Sequence, residues 1–242
     1  MRFLRSILSG CFFLAFGAGG LAFSAFLLLP VPKRFARKVQ RALFGLFVRI
    51  ARVTRLFVVE ASEEDRARFR SFRGSVVVAN HITLIDFVIL ISLLGDTVCI
   101  TKRAVGRNPF MLTIARKILV VNDGKPEEVM RRAVAYLKGG VNVLVFPEGT
   151  RVPADAPSHE FRRGAAHLAL DAHAPVETVF IACDPPVLGK CQRWWDVGSR
   201  TTRYSFSYRG REEAREQPPG YAALRRAAQS LTNALKERVF AA

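Results

Sequence analysis

With 242 residues and 27.0 kDa, half of it hydrophobic and 24% charged, the chain is too apolar for disorder and large enough for one α/β domain plus an extra segment. Its net charge of +17, carried mostly by arginine, excludes an acidic or neutral surface and asks for an anionic partner: nucleic acid, a membrane surface or a phosphorylated substrate. Cys11, Cys99, Cys183 and Cys191 show neither C-x-x-C spacing nor a regular framework, and read as reduced thiols of a protein on the cytoplasmic side.

The first predicted element is a membrane helix. From Ile7 to Val31 the chain is uncharged for about 25 residues, against the ~20 that a spanning helix needs. "LSGC" at 8–11 imitates a lipoprotein cleavage site, but the apolar run continues well past Cys11, whereas a signal peptide has a core about half as long. Next comes a basic amphipathic helix. Phe35, Val39, Ala42, Leu46, Ile50 and Val53 recur at helical steps, with Lys33, Arg34, Arg37, Lys38, Arg41, Arg52 and Arg55 mostly opposite. That pattern predicts a helix lying in the interface on anionic lipid; the plainer alternative is a surface helix packed on the domain. The positive cluster places the rest of the chain on the cytoplasmic face, of the inner membrane in a bacterium. Residues 1–55 are therefore read as anchor plus interfacial helix, and 56–242 as the α/β domain.

From residue 56 strands and helices alternate: "LFVVE", "SVVVA", "TVCIT", "ILVV", "VNVLVF" and "PVETVFIA" as strands, with "DFVILISLLG", "NPFMLTIARK", "PEEVMRRAVAYLKGG" and "FRRGAAHLALDAHA" as helices between them. "RYSFSYRG" is a late strand and 221–240 a closing helix. Pro126 suits a first helical turn, and glycines end that helix at 139–140. The prediction is α/β, a largely parallel mixed sheet flanked by helices.

Ligands of open α/β sheets bind beyond the carboxyl ends of the strands. Asn80 and His81 follow the second strand, Lys102 and Arg103 the third, Asn122 and Asp123 the fourth, and "PEGTR" at 147–151 the fifth. A histidine, two carboxylates and several cations are thus expected on one edge. The chain has no G-x-S-x-G elbow, no phosphate-binding G-x-x-x-x-G-K-[ST] loop and no G-x-G-x-x-G. His159, His167 and His173 lack metal-ligand spacing and read as solvated or packed helix-face residues. What remains is a base without a protein nucleophile: His81, oriented by Asp86, able to take a proton from a bound hydroxyl. Thr83 and Asp86 also read as a capping pair, which explains Asp86 but not His81.

"NHITLID" at 80–86 and "FPEGTR" at 146–151, about 65 residues apart and each at a strand end, resemble the H-x4-D block and the third block of the glycerolipid acyltransferases typified by 1-acylglycerol-3-phosphate acyltransferase. "APVETVFIA" at 174–182 is similar to the fourth block. The resemblance implies transfer of a fatty acyl group from coenzyme A or acyl carrier protein to the hydroxyl of a lysophosphatidate-type glycerolipid. It makes His81 the base, Asp86 its orienting partner, and Glu148, Gly149, Thr150 and Arg151 the glycerol and phosphate end. No metal, no cofactor and no nucleic acid is implied. Lys102 and Arg103 are the further cations on that edge. The second block departs from the pattern: "ILVVND" has Asn122 where an arginine is usual, which bears on the acceptor. The readings kept beside this one are the same chemistry on another lyso-lipid, a glycolipid or a polyketide-like lipid, and a non-catalytic protein binding anionic lipid.

Overall fold

The computed structural model describes residues 2–107, 112–153, 156, 159–189, 192, 200–214 and 219–241. Cys191 and the first residues of the predicted "NPFMLTIARK" helix lie outside them. Cys11, Cys99 and Cys183 are free thiols.

Seven strands form one sheet in the order β1-β7-β6-β2-β5-β3-β4: β1 (Phe57–Glu60), β2 (Val76–Ala79), β3 (Thr97–Lys102), β4 (Val120–Asn122), β5 (Asn142–Val145), β6 (Val176–Asp184) and β7 (Thr202–Glu212). The block β6-β2-β5-β3-β4 is parallel throughout. The long β7 turns back antiparallel to β6, and β1 runs parallel to β7. The central strands are unbroken valine runs because both of their faces are covered. Val77, Ala79, Cys99, Leu144, Val179 and Ile181 face one core, and Val76, Val78, Val98, Val143 and Val176 the other. Their neighbours in sequence alternate between the two, as a period of two requires.

On the first face lie α1 (Arg2–Phe26), α2 (Lys33–Val53), α4 (Asp86–Leu93) and α6 (Leu112–Ile118); on the second lie α7 (Pro126–Lys138), α8 (Gly164–Ala172) and α9 (Tyr221–Phe240). Two short helices have no counterpart among the predicted elements. The first, α3 (Glu63–Ser71), is capped by the Ser62 hydroxyl, which accepts from the Asp65 amide at 3.0 Å. The second is α5 (Arg103–Arg107). Of α3 only Phe69 is buried, so it lacks the apolar period that announces a helix.

The amphipathic helix behaves differently from either simple expectation. Its packed side is Ala36, Arg37, Gln40, Phe47 and Ala51, while Phe35, Leu46, Ile50 and Val53 of the predicted apolar stripe remain exposed, Val53 to 82%. Arg37, grouped by sequence with the outward cations, is instead turned in. Its Nε and Nη2 donate to Asp96 Oδ1 and Oδ2 at 2.6 and 2.8 Å, and it lies 5.5 Å from the Tyr136 ring. A planar guanidinium matches a carboxylate in this two-pronged way. So α2 is fastened to the domain on one side and presents an apolar strip on the other.

Helix α1 is long and apolar enough to cross a membrane by length and composition. The helix and the turn that follows it also touch the rest of the chain. Arg5 Nη2 donates to the Arg200 carbonyl at 3.0 Å, the Phe12 ring stacks 4.5 Å from that of Phe47, and Lys117 Nζ donates to the Leu29 carbonyl at 2.7 Å. Phe3, Leu4 and Leu14 of α1, and Leu28 in the turn after it, are likewise exposed.

Candidate active site

The site is built where β2 ends. Asn80 is buried, and its side chain replaces ladder bonds to β6: Nδ2 donates to the Ile181 carbonyl at 2.8 Å and Oδ1 accepts the Ile181 amide at 2.7 Å. This side chain closes the strand rather than facing substrate. It leaves the backbone free to turn out at His81.

His81 is then fixed on every side. Its amide donates to Glu148 Oε2 at 2.7 Å, and its carbonyl accepts the Val152 amide at 2.7 Å. Its ring lies nearly flat on Phe146, centroids 4.2 Å apart and planes 22° apart. Its Nδ1 is 3.1 Å from Asp86 Oδ2. A carboxylate can only accept, so Nδ1 carries the proton and Nε2 is the basic nitrogen left for an incoming group.

Asp86 is wholly buried at the first turn of α4. Its Oδ2 also accepts the amides of Ile82 and Thr83 at 2.7 and 2.8 Å, and its Oδ1 accepts the Thr83 hydroxyl. The Thr83 oxygen in turn accepts from the Tyr204 hydroxyl at 3.2 Å. Four protein donors and the start of a helix hold this charge where an unpaired one would be prohibitive. The capping role and the orienting role of Asp86 therefore coexist in one carboxylate.

The remaining predicted residues divide in two. Glu148 is expected at the glycerol end of the site, but it is only 5% exposed and its carboxylate is turned inward. Oε2 holds the His81 amide, and Oε1 accepts from His159 Nδ1 at 2.5 Å. Burial pushes the Glu148 carboxyl up, and the hydrogen bonds from His159 and the His81 amide oppose that rise. Arg151, the expected phosphate ligand, donates through Nη1 to the carbonyls of Leu188 and Gly189 at 2.8 and 2.9 Å, so part of the guanidinium already braces the loop after β6.

Lys102, Arg103 and Asn122 are exposed. Lys102 pairs in register with Asn122 at the ends of β3 and β4. Since β3 is two strands from β2, Lys102 is about 10 Å along the edge from His81. Asn122 Oδ1 accepts the Gly124 amide at 3.3 Å and shapes the following turn.

Two functional candidates escaped the sequence. Arg162 is exposed beside Gly149, whose φ is +65° and whose missing Cβ would sit 3.3 Å from the Arg162 Nε; glycine admits both the backbone conformation and the close approach. His159 is the other. A separate hollow of about 680 Å³ touches Arg52, Arg66 and Arg203 between α2 and the β1/β7 edge. It offers little free charge, because Arg66 is spent on the carbonyls of Ala61 and Val59 and Arg203 on Glu60.

Known proteins resemble this chain in sequence and fold. The family model described as Acyltransferase matches residues 45–182. Human 1-acyl-sn-glycerol-3-phosphate acyltransferase alpha is 29% identical over 199 residues, covering 79% of this chain and 70% of that protein. The 1-acyl-sn-glycerol-3-phosphate acyltransferase of Limnanthes alba is 29% identical over 126 residues, covering 49% of this chain and 42% of that protein. Across the mammalian relatives, the chain spans between 61% and 71% of their length. The crystal structure of the 1-acyl-sn-glycerophosphate (LPA) acyltransferase PlsC from Thermotoga maritima superposes with a TM-score of 0.67 at 23% identity, covering 100% of this chain and 99% of that one; this is a likeness of fold. The family match runs through more than half of the chain and through both loops that meet at His81, and on that ground the protein belongs to the acyltransferase family.

Proposed function

We propose that the protein is a membrane-associated enzyme that acylates a lysophosphatidate-type glycerolipid, with an acyl thioester of coenzyme A or acyl carrier protein as donor. The observation that carries the reading is the His81–Asp86 pair, with Nδ1 committed to the carboxylate and Nε2 left as base. In the proposed step, Nε2 takes the proton of the acceptor hydroxyl as its oxygen attacks the thioester carbonyl. The oxyanion that forms is met by backbone N–H groups or nearby cations, the C–S bond breaks, and the thiolate leaves with the proton from His81. No acyl-enzyme is needed. A protein that only bound anionic lipid would have no use for an oriented base.

The acceptor is the finer part of the reading. A phosphate needs fixed positive charge, and with Arg151 partly spent on carbonyls the cations left for it are Lys102, Arg103, Arg162 and the remaining Arg151 nitrogens. Lys102→Ala and Arg162→Ala are expected to raise KM for lysophosphatidate about tenfold or more each, as a lost charge-assisted bond does, with kcat little changed. The measurement is a panel of acceptors with and without phosphate, assayed on wild type and both variants. A wild type that prefers phosphate-free acceptors, with variants indifferent to the change, would move the proposal to another lyso-lipid or glycolipid. Asn122, in place of the usual arginine, is what favours keeping that second acceptor class in the panel.

The exposed apolar residues of α1 and α2, with cations beside those of α2, support membrane association. Arg34 and Lys38 are exposed on α2, and a basic residue near an anionic surface contributes about 1 kcal/mol. The Arg34→Gln/Lys38→Gln protein is therefore expected to bind anionic vesicles about tenfold or more weakly at low salt, and neutral vesicles as wild type does. Equal binding of both proteins to anionic vesicles would remove lipid charge from the proposal. Salt should weaken the wild type toward the variant.

A further inference from the structure

Glu148 joins two histidines. One of its oxygens holds the backbone of His81, and the other accepts the ring of His159. His159 lies outside both motif blocks and has a side chain only 11% exposed, so it is not placed to meet substrate. Its ring packs 4.6 Å from that of Phe240, near the end of α9, and Phe240 is in turn packed by Phe161 and Phe180 at 6.0 Å. An aromatic cluster, half-buried at Phe161 and Phe180 and open to solvent at Phe240, thus backs the ring that gives one N–H to this carboxylate.

We propose that His159 is a positioning residue for acyl transfer: by donating to Glu148 it keeps that carboxylate as the acceptor that fixes the His81 amide, and with it the catalytic imidazole. The inference rests on the acyl-transfer reading given above. Its physical basis is the count of acceptors. As a carboxylate, Glu148 offers both oxygens to N–H donors; as a neutral acid it keeps both contacts only where its hydroxyl donates to a His159 ring that carries its proton on Nε2 instead of Nδ1. Burial drives Glu148 toward the neutral form, and the His159 hydrogen bond is the largest influence opposing it. Without that bond the carboxyl gains a proton or turns away, and the end of β2 loses the strut under His81. A displacement of the base by a fraction of an ångström slows chemistry without weakening substrate binding.

Two substitutions separate donation from packing. His159→Phe keeps a ring against Phe240 but has no N–H; His159→Asn loses the ring but keeps an amide N–H close to the position of Nδ1. If donation matters, kcat of His159→Phe falls about tenfold to a hundredfold with KM for donor and acceptor unchanged, while His159→Asn stays within about threefold of wild type. Wild-type kcat in His159→Phe, equal losses in both variants, or a loss confined to KM would overturn the proposal. Glu148→Gln and the Glu148→Gln/His159→Phe double variant give a second test: losses that fail to add place both residues in one unit, and additive losses separate them and overturn it. His81→Ala is run alongside. If that variant stays active, the acyl-transfer reading has failed; if it is inactive and His159→Phe is not impaired, only the role of His159 has.

Discussion

Replacing His81 with alanine is expected to slow acyl transfer by about 10²- to 10⁴-fold, the range contributed by a positioned general base. The loss should fall on kcat, since the ring is asked only to move a proton. The fold should survive, because the substitution removes one of the four donors on Asp86 and leaves those of Ile82 and Thr83 in place. The backbone bonds of residue 81 to Glu148 and Val152 do not depend on its side chain. Thiol release from acyl-coenzyme A in the presence of acceptor gives the rate, and thermal unfolding gives the integrity. A variant that melts as wild type does and turns over at the wild-type rate would end the proposed mechanism.

Asp86 gives the second large effect, and its two natural substitutions should part company. In Asp86→Asn the amide oxygen can occupy the place of Oδ2 and keep the three N–H donors, while the NH2 faces Thr83. The hydrogen-bond count is nearly preserved and stability should change little. The charge that stabilises the imidazolium is gone, so kcat is expected to fall about 10²- to 10⁴-fold, as for other histidine bases deprived of their carboxylate. Asp86→Ala instead strands two buried amides and a hydroxyl, and should cost about 3–5 kcal/mol of stability as well. Denaturant melts beside turnover distinguish the two. An asparagine variant with full activity would reduce Asp86 to a helix cap.

The parts of this protein that can be read from sequence are those whose signal is local. Val76–Val78 or Val143–Val145 announce buried strands by composition alone, and His81 and Glu148 sit directly after such strands. The parts that cannot be read depend on pairs distant along the chain. Arg37 looks like one more lipid-facing cation until Asp96 is brought to it. His159 looks like a solvated or packed helix-face histidine because no regular sequence period links it to its partner Glu148. Arg151 has the right chemistry for phosphate, and only the path of the chain through Leu188 and Gly189 reveals a competing use. Helix α3 is a different case, because its signal is local: Ser62 followed by acids at 63–65 marks a helix start, and it is easily missed since only Phe69 is apolar enough to mark a face.

The connection from β2 to α4 has a bearing on how this sequence can diverge. Between His81 and Leu84 each backbone amide has a specified acceptor: Glu148 for the first, Asp86 for the next two, and the Leu188 carbonyl for the last. One residue inserted there would lengthen the span between His81 and Asp86 and leave at least one of these amides without its acceptor. Side chains such as the exposed Leu84 can be exchanged, whereas the number of residues cannot. Length is the inherited quantity in this segment. At the ends of β3 and β4 an insertion leaves the spacing of His81 and Asp86 untouched, so length is free to vary there.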